Sequence, residues 1–284
     1  MLTLFTIPKP FVGVFDAIQR NAIASWTRLH PECEVILFGD EEGVARAAAE
    51  LGVRQIPAVA CNEHGTPRID DVFAQARAVA RHDRLCFVNT DILLLPEFVR
   101  AVARLQGPRY LMVGQRWDIE VKGLLDFTDA GWAEALRREV ARNGVRQPPW
   151  AIDYFVIPRT GVAWDFPPFA VGRIRWDNWF LWRAGALRVP VIDATWAVLC
   201  VHQKHPRTYS SINKPPVAGQ DNTRDSAEAR KNLELAKDKY GDIRDATWLM
   251  TPNFALLPAI TPRRLYRMVK RPLLRWLGLG RPGA

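Results

Sequence analysis

The chain has 284 residues, 48% of them apolar, enough to bury a real core in one large domain or two small ones. Its cysteines, Cys33, Cys61, Cys86 and Cys200, show no metal-ligand spacing and read as small buried hydrophobes of a reducing compartment. Net charge is +9, but seven basic and no acidic residues lie from Thr261 onward, and subtracting those seven leaves +2. Basic residues gathered in one tail, rather than on a face interleaved with stacking aromatics, exclude a nucleic-acid binder.

Residues 1–7 are mostly apolar and end at Pro8, with no basic n-region or cleavage site, so no signal peptide is expected. Leu2 to Ile7 predicts a first strand. Phe15 to Leu29 predicts a helix, with Ile18, Ala22, Ile23 and Trp26 at helical spacing. A second strand follows at Glu34 to Phe38, then an Ala-rich helix over Glu41 to Leu51 closed by Gly52. Ile69 to Arg81 carries a helical apolar face and precedes the apolar run of Cys86, Phe87 and Val88. That run reads as a strand apolar on both faces, as in a parallel sheet covered by helices. It stops at Asn89, Thr90 and Asp91 before apolar residues resume. Pro96 to Leu105 predicts a helix and Tyr110 to Val113 a strand ending at Gly114-Gln115-Arg116-Trp117-Asp118. This strand–helix alternation predicts an α/β fold, a mostly parallel central sheet flanked by helices.

The alternation then weakens. Helices are expected at Trp132 to Arg142, Trp176 to Ala184 and Ser226 to Tyr240. Strands are expected at Tyr154 to Ile157, Val189 to Ile192 and Trp196 to His202. Six of the eleven tryptophans (Trp150, Trp164, Trp176, Trp179, Trp182, Trp196) crowd this region, either filling the core or forming a sugar-binding wall. Ala246 to Pro262 is uncharged but broken by three prolines, too interrupted to span a membrane.

In open α/β sheets the ligand sits beyond the carboxyl ends of the strands. Asp91 stands there, where Mg²⁺ or Mn²⁺ bridges a carboxylate and a diphosphate; the alternative is an ordinary Asn–Asp turn. His202 and His205, in VLCVHQKHPRTYS, are further candidate metal ligands or plain surface or core histidines. Asp177, opening an apolar helix after a basic loop, is a helix cap or a base facing an acceptor. Asp153, before YFVIPR, is a turn residue or a functional carboxylate.

The order of these features resembles the glycosyltransferases of the GT-A fold over roughly residues 2 to 210. The segments that carry it are TLFTIPKPF, VILFGD and FVNTDILLL, followed by DYFVIPR, WDNWFLWRA, VPVIDAT and VHQKH. Asn89-Thr90-Asp91 looks like their Asp-X-Asp motif with Asn in first place. The resemblance implies Asp91 and His202 as metal ligands for Mn²⁺ or Mg²⁺, and Asp153 and Asp177 as the catalytic carboxylates. It implies Thr6, Pro8, Asp40, Asn89 and Gln115 around the nucleotide and donor. The expected activity is sugar transfer from a nucleotide-diphosphate sugar to a cell-envelope glycan or lipid-linked acceptor. Two alternatives stand beside it. One is a sugar nucleotidyltransferase, disfavoured because Pro8-Lys9-Pro10-Phe11 replaces a glycine-rich phosphate loop; the other is a degenerate nucleotide- or glycan-binding protein.

The expected organisation is a single domain over residues 1–260, with a nucleotide-binding half (1–118) and an acceptor-side half (119–260), followed by a basic tail (261–284). At about 100° per residue, Arg263 to Leu277 separates Leu265, Tyr266, Met268, Val269, Leu273, Trp276 and Leu277 from six basic residues. Such a helix either packs on the body or lies on an anionic membrane surface. The second option implies a cytoplasmic protein held on the inner face of the plasma membrane.

Overall fold

The structure is a computed structural model that describes residues 1–205 and 226–260. The basic amphipathic segment 263–277 and the rest of the tail lie outside the described residues. In chain order the first elements are β1 (Thr3–Thr6), α1 (Val14–Thr27), β2 (Glu34–Phe38), α2 (Val44–Leu51), β3 (Arg54–Ile56), α3 (Ile69–Val79) and β4 (Arg84–Val88). Then come β5 (Ile92–Leu94), α4 (Glu97–Ala103), β6 (Leu111–Val113), β7 (Arg116–Ile119), α5 (Trp132–Asn143), β8 (Val145–Arg146) and β9 (Tyr154–Pro158). The chain continues with α6 (Trp176–Ala186), β10 (Val191–Asp193), β11 (Cys200–Gln203), α7 (Ala227–Ala236), a 3-10 turn at Ile243–Asp245, β12 (Trp248–Met250) and β13 (Leu256–Pro258).

Nine strands form the main sheet, in the order β13-β12-β10-β6-β9-β4-β1-β2-β3. It is mostly parallel; β9 runs antiparallel between β4 and β6, and β13 is an antiparallel edge. The sheet draws strands from both halves of the chain. Side-chain alternation along a strand divides its core into two layers. Leu4 of β1 faces Trp26, Leu37 and Cys86 on one side, and Phe5 joins Phe38, Phe73 and Phe87 on the other. Phe5 meets all three of those rings edge-on.

A second sheet, β5-β11-β7-β8, is the part the sequence pattern did not show. The turn after β4 ends the main-sheet strand, and Ile92 to Leu94 restarts as an antiparallel partner of β11. The buried Trp26 indole donates to Ile92 O at 2.9 Å, pinning β5 against α1. Gln203, fully buried at the end of β11, donates to Ile18 O (2.9 Å) and accepts from Asn21 Nδ2 (3.0 Å). With both partners in place the buried amide is satisfied, and the strand end is held rigidly.

Several sequence expectations shift. Trp196 lies in a turn and is 61% exposed; the strand starts only at Cys200. Cys61 is exposed and Cys33 only half-buried, rather than both buried. The helix expected from Glu41 begins at Val44, because Gly43 takes φ 81° beside Phe11, where a Cβ would sit 2.9 Å from the Phe11 Cβ. The helix expected to run to Tyr240 stops at Ala236, since Lys237 leaves helical geometry at φ 54°.

Candidate active site

The carboxyl end of β4 delivers Asp91, and the small sheet brings it its neighbours. In register, His202 of β11 stands opposite Ile92 on one side and Asp118 of β7 on the other. His202 Nε2 is 3.7 Å from Asp91 Oδ2, and His205 Nε2 is 3.1 Å from the same oxygen. His202 turns its other nitrogen, Nδ1, to within 3.2 Å of Asp118 Oδ1. One carboxylate and two imidazoles, their ligand atoms within 4.8 Å of one another, form a set a divalent cation can use. A second carboxylate behind a ligating histidine is the arrangement that fixes its ring and tautomer.

Asp91 Oδ1 is buried and has no hydrogen-bond partner among the described residues. Leaving such an atom unsatisfied costs about 1–3 kcal/mol, a penalty that a bound cation removes. Burial alone would raise the Asp91 pKa, but the charges of His202, His205 and Lys9 outweigh it and hold the carboxyl well below the usual range. The group therefore stays ionised and ready to ligate.

The trio opens onto a cleft of about 980 Å³. Arg116 spans its floor, with Nε 3.1 Å from Asp118 Oδ1 and Nη1 2.9 Å from Asp153 Oδ2. Asn89 donates to Asp153 Oδ1 at 2.6 Å, and its backbone N–H reaches Asp153 O at 3.0 Å. Asp153 is thus tied to the Asn89 turn and to Arg116. The opposite wall is the loop Gly172-Arg173-Ile174-Arg175 and the start of α6. Gly172 has φ 68°, and Arg175 is held at φ 86°, a left-handed conformation costly for a side-chain-bearing residue. Asp177 follows inside the first turn of α6 and accepts from Asn178 N at 2.8 Å. Burial pushes the Asp177 carboxyl up to about 6, and the Asp153 charge adds to the push.

Arg173 is 4% exposed and pairs with Glu228 of α7 at 2.5 Å. Glu228 also accepts from Asn62 Nδ2 at 2.7 Å. Removing one partner of such a pair leaves a buried charge uncompensated. Glu228→Ala is expected to destabilise the protein by about 3 kcal/mol in urea unfolding, and Glu228→Gln by less. An unchanged midpoint for Glu228→Ala would show that the pair contributes nothing net.

The structure brings Asn89, Asp91, Asp153, Asp177 and His202 onto one cleft. Thr6 is fully buried at the end of β1, Pro8 is buried beyond it, and Asp40 is exposed after β2. Gln115 donates from Nε2 to Gln147 O at 2.8 Å. Thr6, Pro8, Asp40 and Gln115 are not on this cleft's wall. Arg116, Asp118, Arg173 and Arg175 are on the wall without having been singled out, and His205 belongs with Asp91 and His202. The Arg116–Asp118 pair carried a signal: residues two apart on a strand share a face. His205→Ala is expected to weaken Mn²⁺ binding on the order of 100-fold, because each 1.4 kcal/mol of lost ligation costs about tenfold. An electron paramagnetic resonance titration reads this directly, and unchanged affinity would leave His205 as an ion-pair partner only.

No family model matches the sequence, and no curated protein sequence matches it. Among solved structures the chain is similar to glucosyl-3-phosphoglycerate synthase from Mycobacterium tuberculosis, in complex with Mg²⁺ and uridine diphosphate. That match has 14% identity, covers 72% of each chain and has a TM-score of 0.42. It is similar to S. aureus TarS 1–349 in complex with UDP-GlcNAc at 11% identity, with 87% of this chain and 71% of that one covered and a TM-score of 0.48. The same TarS fragment with UDP aligns at 12% identity over 72% of this chain and 61% of that one, with a TM-score of 0.45. Likeness this low transfers no activity to the chain.

Proposed function

We propose that the chain is a glycosyltransferase that moves a sugar from a nucleotide-diphosphate donor to a hydroxyl acceptor with a divalent metal, Mn²⁺ or Mg²⁺. The observation that carries this reading is the shared cleft, whose wall holds both a metal-ligand trio (Asp91, His202, His205) and a carboxyl raised to about 6 (Asp177). Such a pairing suits a reaction in which a diphosphate leaves while a hydroxyl loses its proton. The acceptor oxygen attacks the anomeric carbon, the bond from that carbon to the diphosphate oxygen breaks, and Asp177 takes the hydroxyl proton. A cation held by the trio supplies neutralisation of the charge on the leaving diphosphate.

Asp153, fixed by Asn89 and Arg116, is placed in this reading beside the donor sugar as the second catalytic carboxylate. Thr6, Pro8, Asp40, Asn89 and Gln115 are assigned to nucleotide and donor binding. Lys9 joins them: the Asp91 charge acts on its ammonium, and its backbone is pinned by Gln19 at 2.7 Å and 2.9 Å.

The acceptor is assigned to a bacterial cell-envelope glycan or lipid-linked sugar, reached from the cytoplasmic face. Four free cysteines suit a reducing compartment. No described helix is long and apolar enough to cross a membrane. The amphipathic basic sequence 263–277 supports a peripheral role, since each basic residue near an anionic surface contributes about 1 kcal/mol. The full chain is expected to co-sediment with anionic vesicles at low salt and to release at high salt, while a chain ending at Ile260 stays in solution. Equal behaviour of the two would remove the membrane role.

The deciding experiment is a screen of nucleotide-diphosphate sugars for slow hydrolysis with Mn²⁺ and with chelator. One donor turned over only with metal supports the transferase. Formation of a nucleotide sugar from a nucleoside triphosphate and a sugar phosphate would point to the nucleotidyltransferase. Nucleotide binding without turnover of any donor would leave a binding protein.

A further inference from the structure

The cleft's cations are not equivalent. Arg116 is taken by Asp118 and Asp153, and Arg173 by Glu228. Arg175 makes no direct ion pair with a carboxylate among the described residues, although its charge acts on nearby Asp177. Its guanidinium instead lies 5.1 Å from the centre of the Tyr240 ring. That stacking holds a fork of N–H donors in place without using it, because the contact is with the ring face.

The platform beneath it is rigid. Gly241 donates from its backbone N–H to Asn178 O at 3.0 Å, and Asn178 Nδ2 donates back to Gly241 O at 3.1 Å. A Cβ at Gly241 would sit 2.7 Å from the Trp182 backbone nitrogen, so the segment carrying Tyr240 rests directly on α6. Arg175, Asp177 and Tyr240 therefore form one unit at the start of that helix. The left-handed backbone at Arg175 is a local cost that the surrounding packing sustains.

The unit is carried by the start of α6, a different element from the turn and strand end that carry the metal ligands on the same cleft. The side-chain charges acting on Asp177 are those of Asp153 and Arg175; those acting on Asp91 are His202, His205 and Lys9. Trp150, 48% exposed on the same cleft, offers a flat face to the remainder of a bound sugar.

We propose that the acceptor carries an oxyanion, a phosphate or a carboxylate, which the Arg175 guanidinium receives on its Tyr240 platform so that a neighbouring hydroxyl lies beside Asp177. This rests on the transferase reading and deepens it, because it gives the acceptor a charge and fixes where that charge sits. A planar guanidinium grips such a group through two parallel hydrogen bonds, whereas an ammonium offers one point charge. An uncharged sugar alcohol is accordingly not expected to bind there, and the two oxyanion sources are separable by experiment.

Calorimetric titrations of the full chain with glycerol 1-phosphate, glycerate and glycerol test this, each with and without UDP and Mn²⁺ present. The wild-type protein is expected to bind at least one of the two anions and not glycerol, and the preferred anion tells phosphate from carboxylate. Arg175→Gln should weaken the preferred anion at least about tenfold, and Arg175→Lys should restore only part of it. Circular dichroism melting of each variant checks that the fold survives. If Arg175→Gln weakens UDP with Mn²⁺ but leaves the anions unchanged, the guanidinium serves the donor and the inference is overturned. Binding of UDP with Mn²⁺ by a wild-type protein that binds neither anion also overturns it. Failure of the wild type to bind any nucleoside diphosphate with Mn²⁺ strikes the transferase reading instead, while the anion arms still decide whether Arg175 forms an oxyanion site.

Discussion

Asp91→Ala is expected to lower metal-dependent donor turnover by roughly 10³-fold or more while the protein stays folded. The carboxylate stands at the carboxyl end of β4 with His202 and His205 within 3.7 Å and 3.1 Å of one oxygen. Its other oxygen is buried without a partner. A cation held there stabilises charge on the leaving diphosphate, an effect of several kcal/mol, and each 1.36 kcal/mol is about tenfold in rate. The fold has reason to survive. β5 is pinned independently by Trp26, and β11 by Asn21 and Gln203. Turnover and Mn²⁺ affinity should fall together. A purified variant with near-wild-type, metal-dependent turnover would end the metal-site assignment.

The second large effect is expected at Asp177, and it has two opposite readouts. As the proton acceptor, Asp177 should contribute about 10²–10⁴-fold to kcat, so Asp177→Asn loses that factor with donor KM nearly unchanged. In the wild type the working form is the carboxylate, so kcat should climb as pH rises through about 6. The stability readout runs the other way. Burial raises the folded-state pKa from 3.8 to about 6, so the protonated form is favoured in the folded protein. The stability this brings is fully present below pH 3.8 and is lost as pH rises through about 6. At pH 7.5 the wild type therefore bears the cost of a buried charge, about 3 kcal/mol at 1.36 kcal/mol per pKa unit, which Asn does not bear. Asp177→Asn is expected to be the more stable protein at pH 7.5 and to lose that advantage near pH 4. Equal unfolding midpoints across this range, or a defect confined to donor KM, would remove Asp177 from the role of base.

Much of the main sheet could be read from the chain itself. The strands at Thr3–Thr6, Glu34–Phe38 and Arg84–Val88 are nearly all buried because helices cover both faces of the sheet, and that leaves the continuous apolar runs visible in the sequence. Ile18, Ala22 and Trp26 show their helix in the same direct way. The two readings of Asn89–Asp91 prove compatible: the segment is a turn between β4 and β5, and the same turn presents Asp91 to the cleft. Asp177 is likewise both a first-turn helix residue and a wall residue of the cleft. Less legible were the short strands β5, β7 and β8. Two to four residues carry too little periodic signal to separate a strand from a loop.

By itself the sequence determined the elements whose apolar period is long enough to read, and with them Asp91 and Asp177 as groups placed at element ends. Those are local properties, written within a few turns of chain. The tertiary structure alone decided which groups share a site. The pairing of β11 with β5 and β7 sets His202 opposite Asp118, and His205 contacts Asp91 across 114 residues of chain. The ion pair from Arg173 to Glu228 spans 55 residues, and Tyr240 reaches α6 through the Gly241–Asn178 hydrogen bonds. Register between strands distant in the chain is fixed by packing of the whole core, because a one-residue slip would turn every side chain of β11 to the opposite face.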